Sequence, residues 1–280
     1  MRIAITGGTG FLGRHVIKHL NHMSVNVVAV ARRIGYDLPS LTNGRWIEMD
    51  VGCISDQSYF DLGKPDVLIH LAWEGLPQYH SPHHLDSEFP KHDSFLTRMV
   101  AQGLPRVIVA GTCFEYGMQQ GSLTETMETQ PMNSYAIAKD LLRQRLQQLK
   151  SQSDFCLTWL RFFYLHGEGQ PERSLYSQLH KAIQEKQPTF NMTGGTQVRD
   201  YLPVTQAARH VVDLAMRGED NGIVNVCSGN PRTIRSIVEA WVTENRCTIQ
   251  LNLGHYPYPD YEPMEFWGNN ARLRSLVGTL

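Results

Sequence analysis

An α/β fold, a doubly wound parallel sheet with a smaller second lobe, is the class that this 280-residue sequence predicts, and three observations predict it. Short apolar runs alternate with segments of helical periodicity as far as about residue 165, the order that gives parallel strands with right-handed crossovers. The first run breaks directly into glycines and then into a helix. No internal repeat, low-complexity tract or flexible linker divides the chain, so residues 1–165 are expected to form the main domain and 166–280 a lobe interleaved with it.

In chain order, Arg2-Ile3-Ala4-Ile5-Thr6 reads as a strand, Gly7-Gly8-Thr9-Gly10-Phe11-Leu12-Gly13 as a turn entering a helix, and the helix ends near Asn21. Glycine at 7 permits a tight turn and glycine at 10 lets the backbone approach an anion. Glycine at 13 lets the helix pack closely on the strand, with the helix N-terminus facing the anion, so the turn is a candidate dinucleotide cradle. Strands are expected at 25–33, 45–49 and 66–71, followed by an irregular stretch from Trp73 to Glu88 that is rich in proline and histidine. A helix at about 89–103, a strand at 106–111, a helix at about 134–149 and a strand at 156–163 complete the main domain. The remainder predicts helices at 172–186, 204–217 and 233–245, with strands near 189–192 and 223–227.

Composition narrows the class. With 41% hydrophobic and 19% charged residues the chain is an ordinary globular one, and a net charge of −1 without a basic tract argues against a nucleic-acid surface. Met1 leads straight into the first strand and no run of eighteen apolar residues occurs, so no signal peptide or membrane segment is expected and the location expected is cytoplasmic. The five cysteines, at 53, 113, 156, 227 and 247, are odd in number and never spaced C-x-x-C, as free thiols in a reducing compartment would be. His80, His83 and His84 crowd one loop, but Pro82 breaks any helical face and no cysteine accompanies them, so no metal site is expected.

The G-x-x-G-x-x-G spacing of residues 7–13 is followed by Tyr135-Ala136-Ile137-Ala138-Lys139, a Tyr-x-x-x-Lys whose two side chains share a helix face. Upstream lies Val107-Ile108-Val109-Ala110-Gly111-Thr112-Cys113-Phe114-Glu115-Tyr116-Gly117. Three motifs in this order resemble the short-chain dehydrogenase/reductase superfamily, in its extended branch of nucleotide-sugar epimerases, dehydratases and reductases. The resemblance implies a Rossmann-type dinucleotide-binding domain, a substrate-binding lobe, a homodimer, and a catalytic set of Thr112, Tyr135 and Lys139. In that set the tyrosine exchanges a proton with the sugar oxygen, the threonine holds that oxygen, and the lysine lowers the phenol pKa and anchors the ribose.

The same resemblance places Gly7, Thr9, Gly10, Phe11, Leu12, Gly13, Asp50, Val51, Leu71 and Ala72 around the cofactor, beside Tyr135 and Lys139. At the tip of the second strand a carboxylate would hold an NAD ribose, whereas here Ala31 is followed by Arg32 and Arg33. Two guanidinium groups suit a 2′-phosphate, so NADP(H) is the preferred cofactor, with NAD(H) as the alternative. Gly194-Gly195-Thr196-Gln197-Val198-Arg199-Asp200-Tyr201-Leu202-Pro203-Val204 is similar to the family segment whose arginine grips a sugar-nucleotide diphosphate, which assigns that role to Arg199. Trp73, Thr112, Tyr164 and Phe190 are the other candidate substrate contacts, Phe190 as a stacking partner for the base. Tyr164 stands where the family carries asparagine, and the second phosphate arginine falls near Pro259.

Elimination then narrows the reaction. A dehydratase of this family carries Asp-Glu after its catalytic threonine, and here those places are Cys113 and Phe114. A 4-epimerase retains NAD, which suits Arg32 and Arg33 poorly. What is left is an NADPH-dependent reductase of a nucleotide-linked 4-keto-6-deoxyhexose. A nucleotide-sugar 4-epimerase is the alternative, and a non-catalytic NAD(P)-binding regulatory protein on the same fold the more distant one.

Overall fold

The structure, a computed structural model, describes residues 1–278. Seven parallel strands form the central sheet in the order Gly222–Val226, Cys156–Phe162, Arg106–Thr112, Val67–His70, Arg2–Thr6, Asn26–Ala31, Gly44–Glu48. Chain order reverses between Arg2–Thr6 and Val67–His70, and a crevice opens at the carboxyl ends of these two strands, where ligands of open α/β sheets bind. The predicted alternation is thus realised as a Rossmann-type fold.

The central strands are mostly apolar because both of their faces are covered. Ile3 and Ile5 point into one core with Val16, Ile17 and Val211, beneath the helices Phe11–Leu20 and Val204–Arg217. Ala4, Val28 and Leu68 point into the other with Phe95, Leu96, Leu142 and Trp159, beneath the helices Phe89–Ala101 and Ser134–Lys150. Residues 204–226 therefore build the main sheet and one of its layers, so a boundary at 165 does not divide the core. The smaller lobe has its own core of Leu179, Phe190, Met192, Ile237 and Trp241. Three short pairings escape sequence reading: Tyr164–His166 with Tyr201–Pro203, Gly121–Leu123 with Phe266–Gly268, and Val198–Arg199 with Arg232–Thr233. At two or three residues they are too short to show a period. No helix among the described residues is long and apolar enough to cross a membrane.

Candidate active site

The glycine turn sits at the switch point. Gly7 has φ of +72°, and a Cβ on it would lie 2.6 Å from the Ala72 nitrogen. A Cβ on Gly13 would lie 2.1 Å from the Gly7 oxygen, so only glycine lets the helix Phe11–Leu20 begin this close to the strand. Gly10 caps that helix without any side-chain hydrogen bond, which leaves its first-turn N–H groups free for an anion. Above the turn lies a cavity of about 190 Å³ lined by Gly7, Thr9, Gly10, Ala31, Arg32, Val51, Leu71, Ala72, Trp73 and Glu74. Its backbone and uncapped helix end fit a pyrophosphate. Asp50 is exposed and accepts the Gly52 N–H, and Arg33 is exposed.

A second cavity, of about 340 Å³, continues from the first across Leu71 and Trp73. It is lined by Phe11, Leu12, Thr112, Cys113, Phe114, Tyr135, Lys139 and Tyr164, so the three catalytic candidates converge although they lie up to 27 positions apart (139 − 112). Thr112 ends a strand and caps the short helical turn Cys113–Tyr116: its Oγ1 accepts the Phe114 N–H at 3.2 Å, and Glu115 accepts the Thr112 N–H at 2.9 Å. The cap uses Thr112 Oγ1 as an acceptor and does not use its hydroxyl proton. Glu115 is fully buried and also takes Trp159 Nε1 at 2.9 Å and Arg161 Nε at 2.7 Å. Sequence reasoning passed over Glu115, although the T-x-x-E spacing of a capping box was its signal.

Tyr135 and Lys139 project from the first turns of the helix Ser134–Lys150, which Asn133 caps through the Ala136 N–H. Tyr135 packs against Tyr79, at 5.7 Å between ring centres, and donates its backbone N–H to the Tyr79 oxygen. Burial pushes its phenol well up, reinforced by Tyr79, Glu115 and Cys113, so it is a held proton donor. Lys139 donates to the Ala110 oxygen at 2.9 Å and lies 3.8 Å over the Trp73 ring. Burial brings its pKa down to about 7, against the pull of Glu115 and Glu88. Burial likewise pushes the Cys113 thiol up, so it is not a base at neutral pH. Trp73 is held edge and face: it donates to His84 Nδ1 at 3.1 Å and stacks on His92 at 4.7 Å.

The substrate side departs from expectation at two residues. Beyond Tyr164 opens a cavity of about 740 Å³, lined by Leu76 to Ser81, Tyr164, Gln170, Arg173, Tyr176, Tyr201, Tyr261 and Glu262. The Pro/His-rich loop therefore walls the space next to the catalytic candidates. Arg199, however, does not reach either cavity. It is 3% exposed and spends Nε and Nη2 on Glu262, at 3.3 and 2.9 Å, and Nη1 on the Val198 and Met264 oxygens. Phe266 stacks beneath its guanidinium at 4.5 Å. Phe190 lies in the core of the lobe, because the short strand Thr189–Asn191 pairs with Gln250–Asn252 and turns its central residue inward. Arg173, which lines the large cavity, is the cation that sequence reading missed; nothing in its exposed loop distinguishes it from a solvated charge.

The three loop histidines do not converge. His84 is buried between Trp73 and the Gln78 oxygen, whereas His80 packs by Tyr261. His83 instead faces Glu88 at 3.4 Å. Donor atoms of Glu74, His83 and Glu88 lie within 4.8 Å of one another, with the Lys91 ammonium against both carboxylates supplying the positive charge.

Comparison with known proteins identifies the family and the fold. The chain is 30% identical over 270 residues to a dTDP-6-deoxy-L-talose 4-dehydrogenase (NAD(+)) of Aggregatibacter actinomycetemcomitans, covering 96% of this chain and 99% of that one. Its fold superposes on a UDP-N-acetylglucosamine 4-epimerase from Methanobrevibacter ruminantium in complex with UDP-N-acetylmuramic acid, with a TM-score of 0.86 at 20% identity over 100% and 92% of the two chains. It also superposes on MoeE5 in complex with UDP-glucuronic acid and NAD, with a TM-score of 0.80 at 23% identity over 99% and 93%. The expected preference for NADP(H) finds no support among these proteins. Residues 3–227 match the model of the NAD dependent epimerase/dehydratase family. The chain belongs to that family.

Proposed function

We propose that this protein transfers hydride at C4 of a nucleotide-linked 6-deoxyhexose, reducing the 4-keto sugar or oxidising the 4-hydroxyl. The observation that carries the proposal is the make-up of the catalytic cavity: Thr112, Tyr135 and Lys139 converge there, and among the described residues that line it none is a carboxylate. Dehydration across C5 and C6 needs an added acid and base, and Cys113 and Phe114 supply neither. The 4-dehydrogenase relative, which this chain covers almost from end to end, supports the same reaction class.

A nicotinamide dinucleotide held over the glycine turn would supply or accept the hydride. The protein does the rest. Tyr135, kept protonated by its buried site, gives its proton to the C4 oxygen during reduction. Thr112 holds that oxygen through the hydroxyl proton its capping geometry leaves free. Lys139 adds positive charge below the phenol, and Trp73 shields that charge from water.

A panel of nucleotide-linked 4-keto-6-deoxysugars, incubated with NADH or NADPH and followed by nicotinamide absorbance and product NMR, tests this. Stoichiometric oxidation of reduced cofactor with one C4 epimer formed is the expected result. Interconversion of C4 epimers without net cofactor turnover would instead establish a 4-epimerase.

A further inference from the structure

The tip of the second strand carries Ala31 where a family member that uses NAD carries an acid, yet a carboxylate lines the same cavity. It arrives from elsewhere in the chain. Glu74, four residues beyond the end of the strand Val67–His70 (74 − 70), lines the cofactor cavity together with Ala31 and Arg32. Its Oε1 pairs with Arg32 Nη1 at 2.8 Å and lies 3.6 Å from the Lys91 ammonium. The backbone holds it too, since the Glu74 N–H donates to Glu88 Oε2 at 2.8 Å.

Glu88 is a rigid anchor. It is fully buried, pairs with Lys91, and accepts His92 Nε2 at 3.1 Å. His92 Nδ1 in turn meets His70 Nε2 at 2.8 Å, and His70 Nδ1 meets Thr6 Oγ1 at 2.8 Å. Burial would raise the Glu88 pKa, but the hydrogen bonds from His92, Lys91 and the Glu74 N–H outweigh it and keep the carboxyl ionised. The loop bearing Glu74 is thus tied through two buried imidazoles to the strand that carries the glycine turn.

We propose that Glu74 selects the cofactor: its carboxylate accepts a free ribose hydroxyl at the adenosine end of the cavity and repels a 2′-phosphate, so the chain uses NAD(H) in preference to NADP(H). The adenosine end is the end remote from Tyr135, where the strand tips Ala31 and Val51 lie. Arg32, read from the sequence as a phosphate ligand, is instead the counter-ion of Glu74, and a dianionic phosphate would have to displace one carboxylate oxygen from it. The proposal rests on the reading of the glycine-turn cavity as a nicotinamide dinucleotide site.

Fluorescence titration with NADH and NADPH, without any sugar, tests it in the wild type, Glu74→Gln, and the double variant Glu74→Gln/Arg32→Ala. The wild type should bind NADH about tenfold or more tightly than NADPH. Glu74→Gln should move that ratio toward NADPH by about tenfold, since it removes the repulsion and frees Arg32. The double variant should lose the gain in NADPH, which a change of fold alone would not produce. A wild type that prefers NADPH, or a ratio that Glu74→Gln leaves unmoved, overturns the role of Glu74 while the dinucleotide site stands. Binding of neither cofactor overturns the site and the proposal together.

Discussion

Around the glycine turn the ligand contacts expected from the sequence are mostly backbone contacts, whereas in the second lobe they are long side chains, and the two regions fared differently. Gly7 and Gly13 are needed where they stand because any Cβ would strike neighbouring backbone. Their role is fixed by steric exclusion and travels with the motif. Arg199 has the right neighbours in sequence, but a guanidinium goes where the nearest carboxylate is, and Glu262, 63 residues on, has claimed it. Phe190 was equally free to serve a ligand or a core, and strand pairing chose the core. A motif written in backbone geometry can be transferred residue by residue; one written in flexible side chains depends on residues that the motif does not contain.

The largest effect that would test this contrast is on stability. Arg199→Met leaves Glu262, itself 11% exposed, without its partner, and should cost about 3–5 kcal/mol in denaturant unfolding. Arg199→Met/Glu262→Leu should recover most of that loss, because replacing both members of a buried pair is often close to neutral. If Arg199→Met unfolds like the wild type but raises KM for the sugar nucleotide, the guanidinium is a diphosphate ligand after all and the contrast between the two regions fails.

The next effect is on turnover and belongs to the cavity where Thr112, Tyr135 and Lys139 meet. Tyr135→Phe removes the proton but keeps the ring that packs against Tyr79 and Trp73. Turnover should fall by about 10²-fold or more while cofactor affinity, read by fluorescence titration, stays within about twofold. A variant that still reduced its sugar at near wild-type rate would take Tyr135 out of the chemistry.

The sheet was legible because each strand buried on both faces is a predominantly apolar run, and most of the helices between them are long enough to show a period. Thr112, Tyr135 and Lys139 were legible because family spacing survives in each motif. Arg32 shows where legibility stops. It lines the cavity, but its partner Glu74 lies 42 residues away (74 − 32) and is brought there by the buried chain from Glu88 to Thr6, whose members sit on three separate segments. No local pattern encodes such a meeting. Cofactor choice was therefore read from half of a pair.

The smallest effect concerns the group whose charge the site leaves poised. Burial sets Lys139 at about 7, below the ordinary lysine value, so its positive charge is complete in acid and is lost as pH rises through that value. Groups that face it are moved away from neutrality: burial lowers His70 and His92, the latter to about 4, and raises Tyr135 and Cys113. Reduction needs a protonated Tyr135 and gains from a charged Lys139, so kcat/KM for the keto sugar should decline above about pH 7, by up to about tenfold per pH unit. Lys139→Arg keeps a cation that does not deprotonate in this range, and whatever its absolute rate, its profile should stay flat where the wild type falls. An alkaline limb that persists at the same pH in Lys139→Arg would assign the titration to another group and leave Lys139 a purely structural contact of Ala110 and Trp73.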